Sequence, residues 1–300
     1  MKLIYFILLI GTLYSQYISD NTYSNVESSA MAGAVVAERG GAWSIFINPA
    51  GIVETKQKKL LIAASTSNLY GYSWLPLRNL TFTSKLPILG NISFAMQQFE
   101  TKYNGISLSK EQIISFGKGY YLQNDKNSNL SFGHTINIIT WNLGKSAGLN
   151  GDGSDGLILS NAQTISLDIG FLSSLRNKFR FGAYLKNISS SSIGKGISSH
   201  TLPQRINVGI TYLPAPFLST SIVSEHLLGS DNIQTKAAFK YNLNSNIILY
   251  TGAQSNPNRF GIGIKFILAD KFVSYGLLSH QVLPITHQVN LGFSLWLIGK

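Results

Sequence analysis

The chain has 300 residues, no cysteine, 44% hydrophobic residues and only 12% charged ones, against roughly 25% charged residues in an ordinary soluble domain. Without cysteine there is no disulfide framework, thiolate metal cluster or thiol nucleophile. With 16 Phe, 14 Tyr and 4 Trp the chain is not disordered, because disordered chains are poor in aromatics. A net charge of +11 carried on so few charged residues fits a protein whose main solvent is not water.

Residues 1–15 read MKLIYFILLIGTLYS, a lysine, an apolar run over residues 3–10 and a small residue at Ser15. This is the layout of a secretory signal peptide cleaved after Ser15, and the run is too short to span a bilayer as a helix. Residues 16–58 form an N-terminal plug or cap segment in this reading. Its first part, SSAMAGAVVAE over residues 28–38, is rich in small side chains and suits a short helix or an extended packed segment. The turn chemistry of Asn48-Pro49-Ala50-Gly51 follows, in which proline presets φ and glycine tolerates a positive φ.

From Lys59 onward the sequence alternates with period two. Phe179, Phe181, Ala183 and Leu185 share one face, and Arg180, Gly182, Tyr184 and Lys186 the other. Phe260, Ile262, Ile264, Phe266 and Leu268 stand in the same way against Gly261, Gly263 and Lys265. The pattern predicts fourteen strands over residues 59–67, 78–86, 90–100, 111–121, 129–141, 163–173, 178–188, 204–213, 217–227, 232–242, 246–254, 259–267, 272–280 and 287–297. Strands of this length cross the hydrocarbon when tilted, whereas the mean strand of a soluble protein has about five or six residues. One face is apolar and aromatic, and the other carries Gly, Asn, Gln, Ser, Thr and Lys, as in a membrane barrel. The expected fold is therefore all-β: a transmembrane antiparallel barrel over residues 59–300 in a bacterial outer membrane, with lipid as its first partner.

The stretch from Ala32-Gly33-Ala34-Val35-Val36-Ala37 to Ile45-Phe46-Ile47-Asn48-Pro49-Ala50-Gly51 resembles the N-terminal signature of the PorV/PorQ family. That family belongs with the outer-membrane barrels similar to the fatty-acid transporter FadL. Residues 181–188, 202–209, 255–263 and 286–291 resemble consecutive strands of such proteins. The resemblance implies a fourteen-stranded barrel with a plug, in which Gly33, Asn48, Pro49, Ala50 and Gly51 are the signature positions. It also implies a role in type IX secretion, with secreted cargo proteins or secretion-machinery subunits as partners. The alternative it offers is FadL-like passive transport of a hydrophobic ligand.

Arg180, Lys186, Lys236, Lys240 and Lys265 lie on the polar face and are expected to point into the lumen. There they either pair with acids of loops and plug or draw an anionic ligand, since a low-dielectric lumen focuses the field. Residues 150–156 (NGDGSDG) carry oxygen ligands on alternate positions, but Asp155 and Asn161 break the EF-hand pattern, which leaves a flexible loop as the expectation and calcium as the alternative. The histidines at 134, 200, 226, 280 and 287 show no metal spacing. The S-x-x-K matches at 107–110 and 192–195 do not open a helix. No nucleophile, base and orienting acid converge, so no enzyme, cofactor or metal is expected. The basic residues are scattered, which argues against nucleic acid. Gly90, Asn91 and Gly292 mark the places where a strand kink would open the wall, if one is present.

Overall fold

A computed structural model describes residues 23–55, 59–103, 105–144, 146, 148–151, 154–157, 159, 161–194 and 199–296. The expected signal peptide lies outside these residues. The strands are β1 (Lys59–Asn68), β2 (Pro76–Leu86), β3 (Gly90–Tyr103), β4 (Ile106–Asn124), β5 (Ser128–Asn142), β6 (Asn161–Leu175), β7 (Phe179–Lys186), β8 (Ser192–Ile193), β9 (His200–Thr201), β10 (Arg205–Ala215), β11 (Leu218–Leu227), β12 (Ile233–Asn242), β13 (Ile247–Gln254), β14 (Arg259–Leu268), β15 (Lys271–Leu278) and β16 (Thr286–Trp296). Fourteen of them form a closed antiparallel barrel in which β7 pairs directly with β10 and β1 closes on β16. The short strands β8 and β9 pair only with each other, in the β7–β10 connection.

All fourteen expected barrel strands are present, and the ends differ where alternation fades. β4 departs most, running over 106–124 where the pattern predicts 111–121. Elsewhere the period-two pattern maps directly onto the wall. On β14, Phe260, Ile262, Phe266 and Leu268 are exposed on the outside, while Gly261 is buried on the inside. Closure leaves no unpaired edge in lipid, which a spanning sheet requires.

The two ends of the barrel differ. At one end the connections are tight turns, such as 87–89, 176–178, 216–217 and 269–270; at the other they are longer, such as 143–160 and 187–204. Short turns on the periplasmic side and longer outer loops are the habit of outer-membrane barrels. Gly292 does not break the wall: the ladders of β16 with β1 and β15 run through it without interruption. It faces inward, and its missing side chain makes room for the Phe272 ring. Gly90 simply opens β3 after a turn, with φ at +74°. Register shifts fall instead near Lys102, Gln123 and Ala215.

A barrel of fourteen strands is too wide for wall side chains alone to fill, and residues 23–55 occupy the interior. They fold as α1 (Val26–Ala30), a run of turns, a 3-10 turn at Gly41–Trp43, α2 (Ser44–Ile47) and a 3-10 segment at Pro49–Glu54. Val26, Ala30, Met31, Ala34, Trp43, Ala50 and Ile52 are fully buried. The wall is shaped for this segment. Gly119, Gly133 and Gly170 stand side by side across β4, β5 and β6, Gly182 faces Gly209 and Gly252 faces Gly261. A Cβ on Gly133 would fall on the Pro49 carbonyl, and one on Gly170 on the Asn48 side-chain oxygen. Backbone thus packs on backbone where any side chain would hold the two apart.

Candidate functional site

The lumen and its plug are the candidate site. Asn48 is its structural centre, at 1% exposure. Its Oδ1 accepts the Ala50 N–H at 3.1 Å. Its Nδ2 donates to the Val36 carbonyl at 2.9 Å and to the Phe171 carbonyl of the wall at 3.0 Å. One side chain therefore caps the 3-10 segment, ties two parts of the plug and anchors both to β6, using the cap preference of asparagine. Pro49 follows at the first position of that segment, where a missing N–H costs nothing. Ala50 is fully buried, and a Cβ on Gly51 would press on Ser44 Oγ at 2.9 Å. Gly33 has φ at +82°, and a Cβ there would meet the Tyr23 hydroxyl at 2.6 Å.

Of the five basic residues singled out on the polar face, Arg180, Lys240 and Lys265 meet plug carboxylates. Glu38 lies 3.6 Å from Arg180 and 3.3 Å from Lys240 and accepts from the hydroxyls of Ser219 and Ser221 at 3.0 and 3.2 Å. Glu27 lies 2.6 Å from Lys265 and accepts from Tyr250 at 3.2 Å. Lys236 instead joins a wall cluster: Glu225 bridges it at 2.6 Å and Arg205 at 2.5 Å. Lys186 lines the chamber described next. Burial raises the Glu38 carboxyl, but Lys240 and Arg180 outweigh it and hold it below the ordinary range. Burial likewise raises Glu27, and Lys265 and Lys240 bring it below the ordinary value. Glu54 goes the other way: burial pushes it up despite Arg39, which lies 2.8 Å away.

Two of the chambers beside the plug are the larger ones among the described residues. The one toward the long connections has a volume of about 140 Å³ and is polar, with Lys186, Arg205, Lys236, Glu225 and Gln254 in its lining. The one toward the tight turns has about 280 Å³ and mixes Trp43, Leu61, Ile248 and Phe272 with Glu27 and Lys265. The plug acids Glu27 and Glu38, the wall acid Glu225 and buried Asp168, which accepts from Asn137, Tyr184 and the Asn187 N–H at 2.7–3.0 Å, were not singled out from sequence. The available signal was the presence of carboxylates in a small-residue segment ahead of a basic wall.

The residues weighed for other chemistry stay apart. Among the described residues no group of three His, Asp or Glu is placed to hold a metal. In the 150–156 loop the Asp155 carboxylate accepts backbone N–H groups of Leu149 and Asn150 at 2.9 and 3.4 Å; Asp152 and Gly153 lie outside the described residues. Ser109, inside the first S-x-x-K match, accepts from Trp141 Nε1 at 2.9 Å, and Lys195 of the second lies outside the described residues.

No protein-family model and no curated protein matches the sequence. The fold, however, is shared with solved barrels. The monoaromatic hydrocarbon channel CymD superposes with a TM-score of 0.60 at 12% identity, covering 90% of this chain and 96% of that one. The toluene transporter TbuX of Ralstonia pickettii gives 0.56 at 12% identity, over 94% and 98%. A FadL homologue of Pseudomonas aeruginosa gives 0.55 at 8% identity, over 92% and 98%. The chain shares the barrel fold of these outer-membrane proteins.

Proposed function

We propose that this protein is a passive channel that admits small molecules with a substantial apolar part across the outer membrane. The observation that carries the reading is the plug itself. Residues 23–55 lie in the lumen and are tied to the wall through Asn48 and Glu38, so among the described residues passage would go by way of small chambers. The larger chamber, about 280 Å³, exceeds the roughly 150 Å³ that suffices for benzene in an apolar cavity. The fold shared with hydrocarbon channels over nearly the whole chain supports the same reading.

The test is uptake of labelled toluene and of a labelled long-chain fatty acid by cells lacking their own carriers, with liposome swelling in sugars alongside. Saturable uptake of either apolar solute without sugar permeation is the expected result. Sugar permeation at porin rates, or no apolar uptake, refutes it. The resemblance of residues 32–51 to the PorV/PorQ signature favours a second reading, a barrel that handles secreted cargo in type IX secretion. Stoichiometric secretion subunits or secreted proteins on purification in mild detergent would put that reading first.

A further inference from the structure

The outer wall carries an unusual spot. On β2–β5 two adjacent rows of side chains face the lipid. Phe82, Phe94, Phe116 and Ile136 form one row, paired strand to strand. Ser84, Ile92, Lys118 and His134 form the next. Together they line a groove of about 520 Å³, the small Ser84 leaving a hollow beside the rings. A lysine paired with a histidine is out of place on such a face, because an ionised group in the apolar band is costly unless it reaches the interface or a counter-ion. Arg78, Lys110 and Lys271, also on lipid-side positions, stand near strand ends.

The level of the spot is set by the strand. From Tyr120 to Asn127 every residue is exposed on both faces, so the β4–β5 hairpin leaves the bilayer just beyond Lys118, on the side of the tight turns. Tyr120 and Phe132 sit there as an interfacial aromatic pair, their centroids 6.4 Å apart. The Lys118 ammonium lies 5.3 Å over the Tyr120 ring, and His134 stacks on the same ring at 5.8 Å. Among the described residues Lys118 has no carboxylate partner.

We propose that this groove binds one anionic phospholipid of the leaflet on the tight-turn side. Its phosphate is held by Lys118 and His134, and an acyl chain lies along Phe82, Phe94 and Phe116. The rings supply a rigid apolar track, and Lys118 and His134 stand at its interfacial mouth, where the head group of a lipid in that track must be. The site is on the outside of the wall and is independent of the lumen and of what passes through it.

The experiment is native mass spectrometry of the full protein released from nanodiscs of equal parts phosphatidylglycerol and phosphatidylethanolamine. One retained phosphatidylglycerol is expected. K118Q/H134Q is expected to lower its excess over phosphatidylethanolamine by roughly 5-fold or more, the factor matching about 1 kcal/mol per interfacial cation, whereas K271Q leaves it unchanged. Heat-modifiable gel mobility checks that each variant is folded. Equal retention of the two lipids by the parent protein, or unchanged retention by K118Q/H134Q, overturns the proposal. So does a dimer that the same double substitution dissociates, since a second copy would then cover the groove. Should the variant not fold, a salt titration of the parent decides: retention that does not weaken with ionic strength overturns the assignment.

Discussion

Glu38→Gln is the sharpest probe of how the plug is held. The carboxylate has 5% side-chain exposure and sits between Arg180 and Lys240, which have 13% and 22%. Gln keeps the shape and the hydrogen bonds from Ser219 and Ser221, and removes only the charge. Two partly buried cations are then left facing each other. Breaking a buried pair on one side costs about 3–5 kcal/mol, and the partial exposure of Lys240 favours the lower end, about 3 kcal/mol. At 1.36 kcal/mol per factor of ten that raises the fraction of released plug roughly 150-fold. The chain has no cysteine, so a single Ser44→Cys reporter in the plug, where Ser44 is 1% exposed, reads that fraction through its rate of maleimide labelling. In the regime where opening is fast relative to labelling, the rate follows the open population. Adding Lys240→Gln to Glu38→Gln is expected to recover part of the loss, because the remaining repulsion is relieved. Labelling within twofold of the parent would show that the ion pairs do not hold the plug.

Acid should loosen the same contacts. Glu27 and Glu38 are held below the ordinary carboxylate value of 4.5, so their contribution is complete above that value and is lost as pH falls through their depressed values. Glu54, raised by burial, contributes in the opposite sense, with stability present below its unfolded value and lost as pH rises through its folded one. Conductance across planar bilayers is therefore expected to stay low from about pH 8 to about pH 5 and to rise only in stronger acid. A rise near neutrality would contradict the ion-pair account. Gly133→Val should push Pro49 off the wall at a cost of about 1–3 kcal/mol, seen as a lower midpoint of thermal unfolding and faster Ser44→Cys labelling; an unchanged midpoint would show that the plug is not seated as described. Asn48→Ala removes the cap on Ala50 and strands the Val36 carbonyl, costing about 1–3 kcal/mol for the orphaned buried groups. Hydrogen exchange in residues 49–54 should rise in that variant before exchange in the barrel strands does.

The architecture was legible because each barrel strand meets two different solvents, and that difference is written residue by residue. Phe179, Phe181, Ala183 and Leu185 point one way and Arg180, Gly182, Tyr184 and Lys186 the other, so the period and the count of barrel strands follow from the sequence alone, while their ends do not. At Asn48–Gly51 the sequence suggested a turn with glycine at positive φ; the segment is instead a 3-10 helix capped by Asn48, in which Gly51 has no positive φ and leaves room for Ser44 Oγ. Alternation put the basic residues on the polar face. Their partners did not follow from it: Glu38 reaches Lys240 and Glu27 reaches Lys265 across more than half the chain, and no local pattern encodes a contact of that separation. The seat of the plug on Gly133 and Gly170 depends equally on which wall position the Pro49 backbone meets. The Lys118–His134 row depends on strand register, which aligns residues far apart in sequence on one outer face. Local solvent contrast determined the barrel; the closing of the sheet around its own N-terminal segment decided which charges meet, where space remains and what the outer wall offers to lipid.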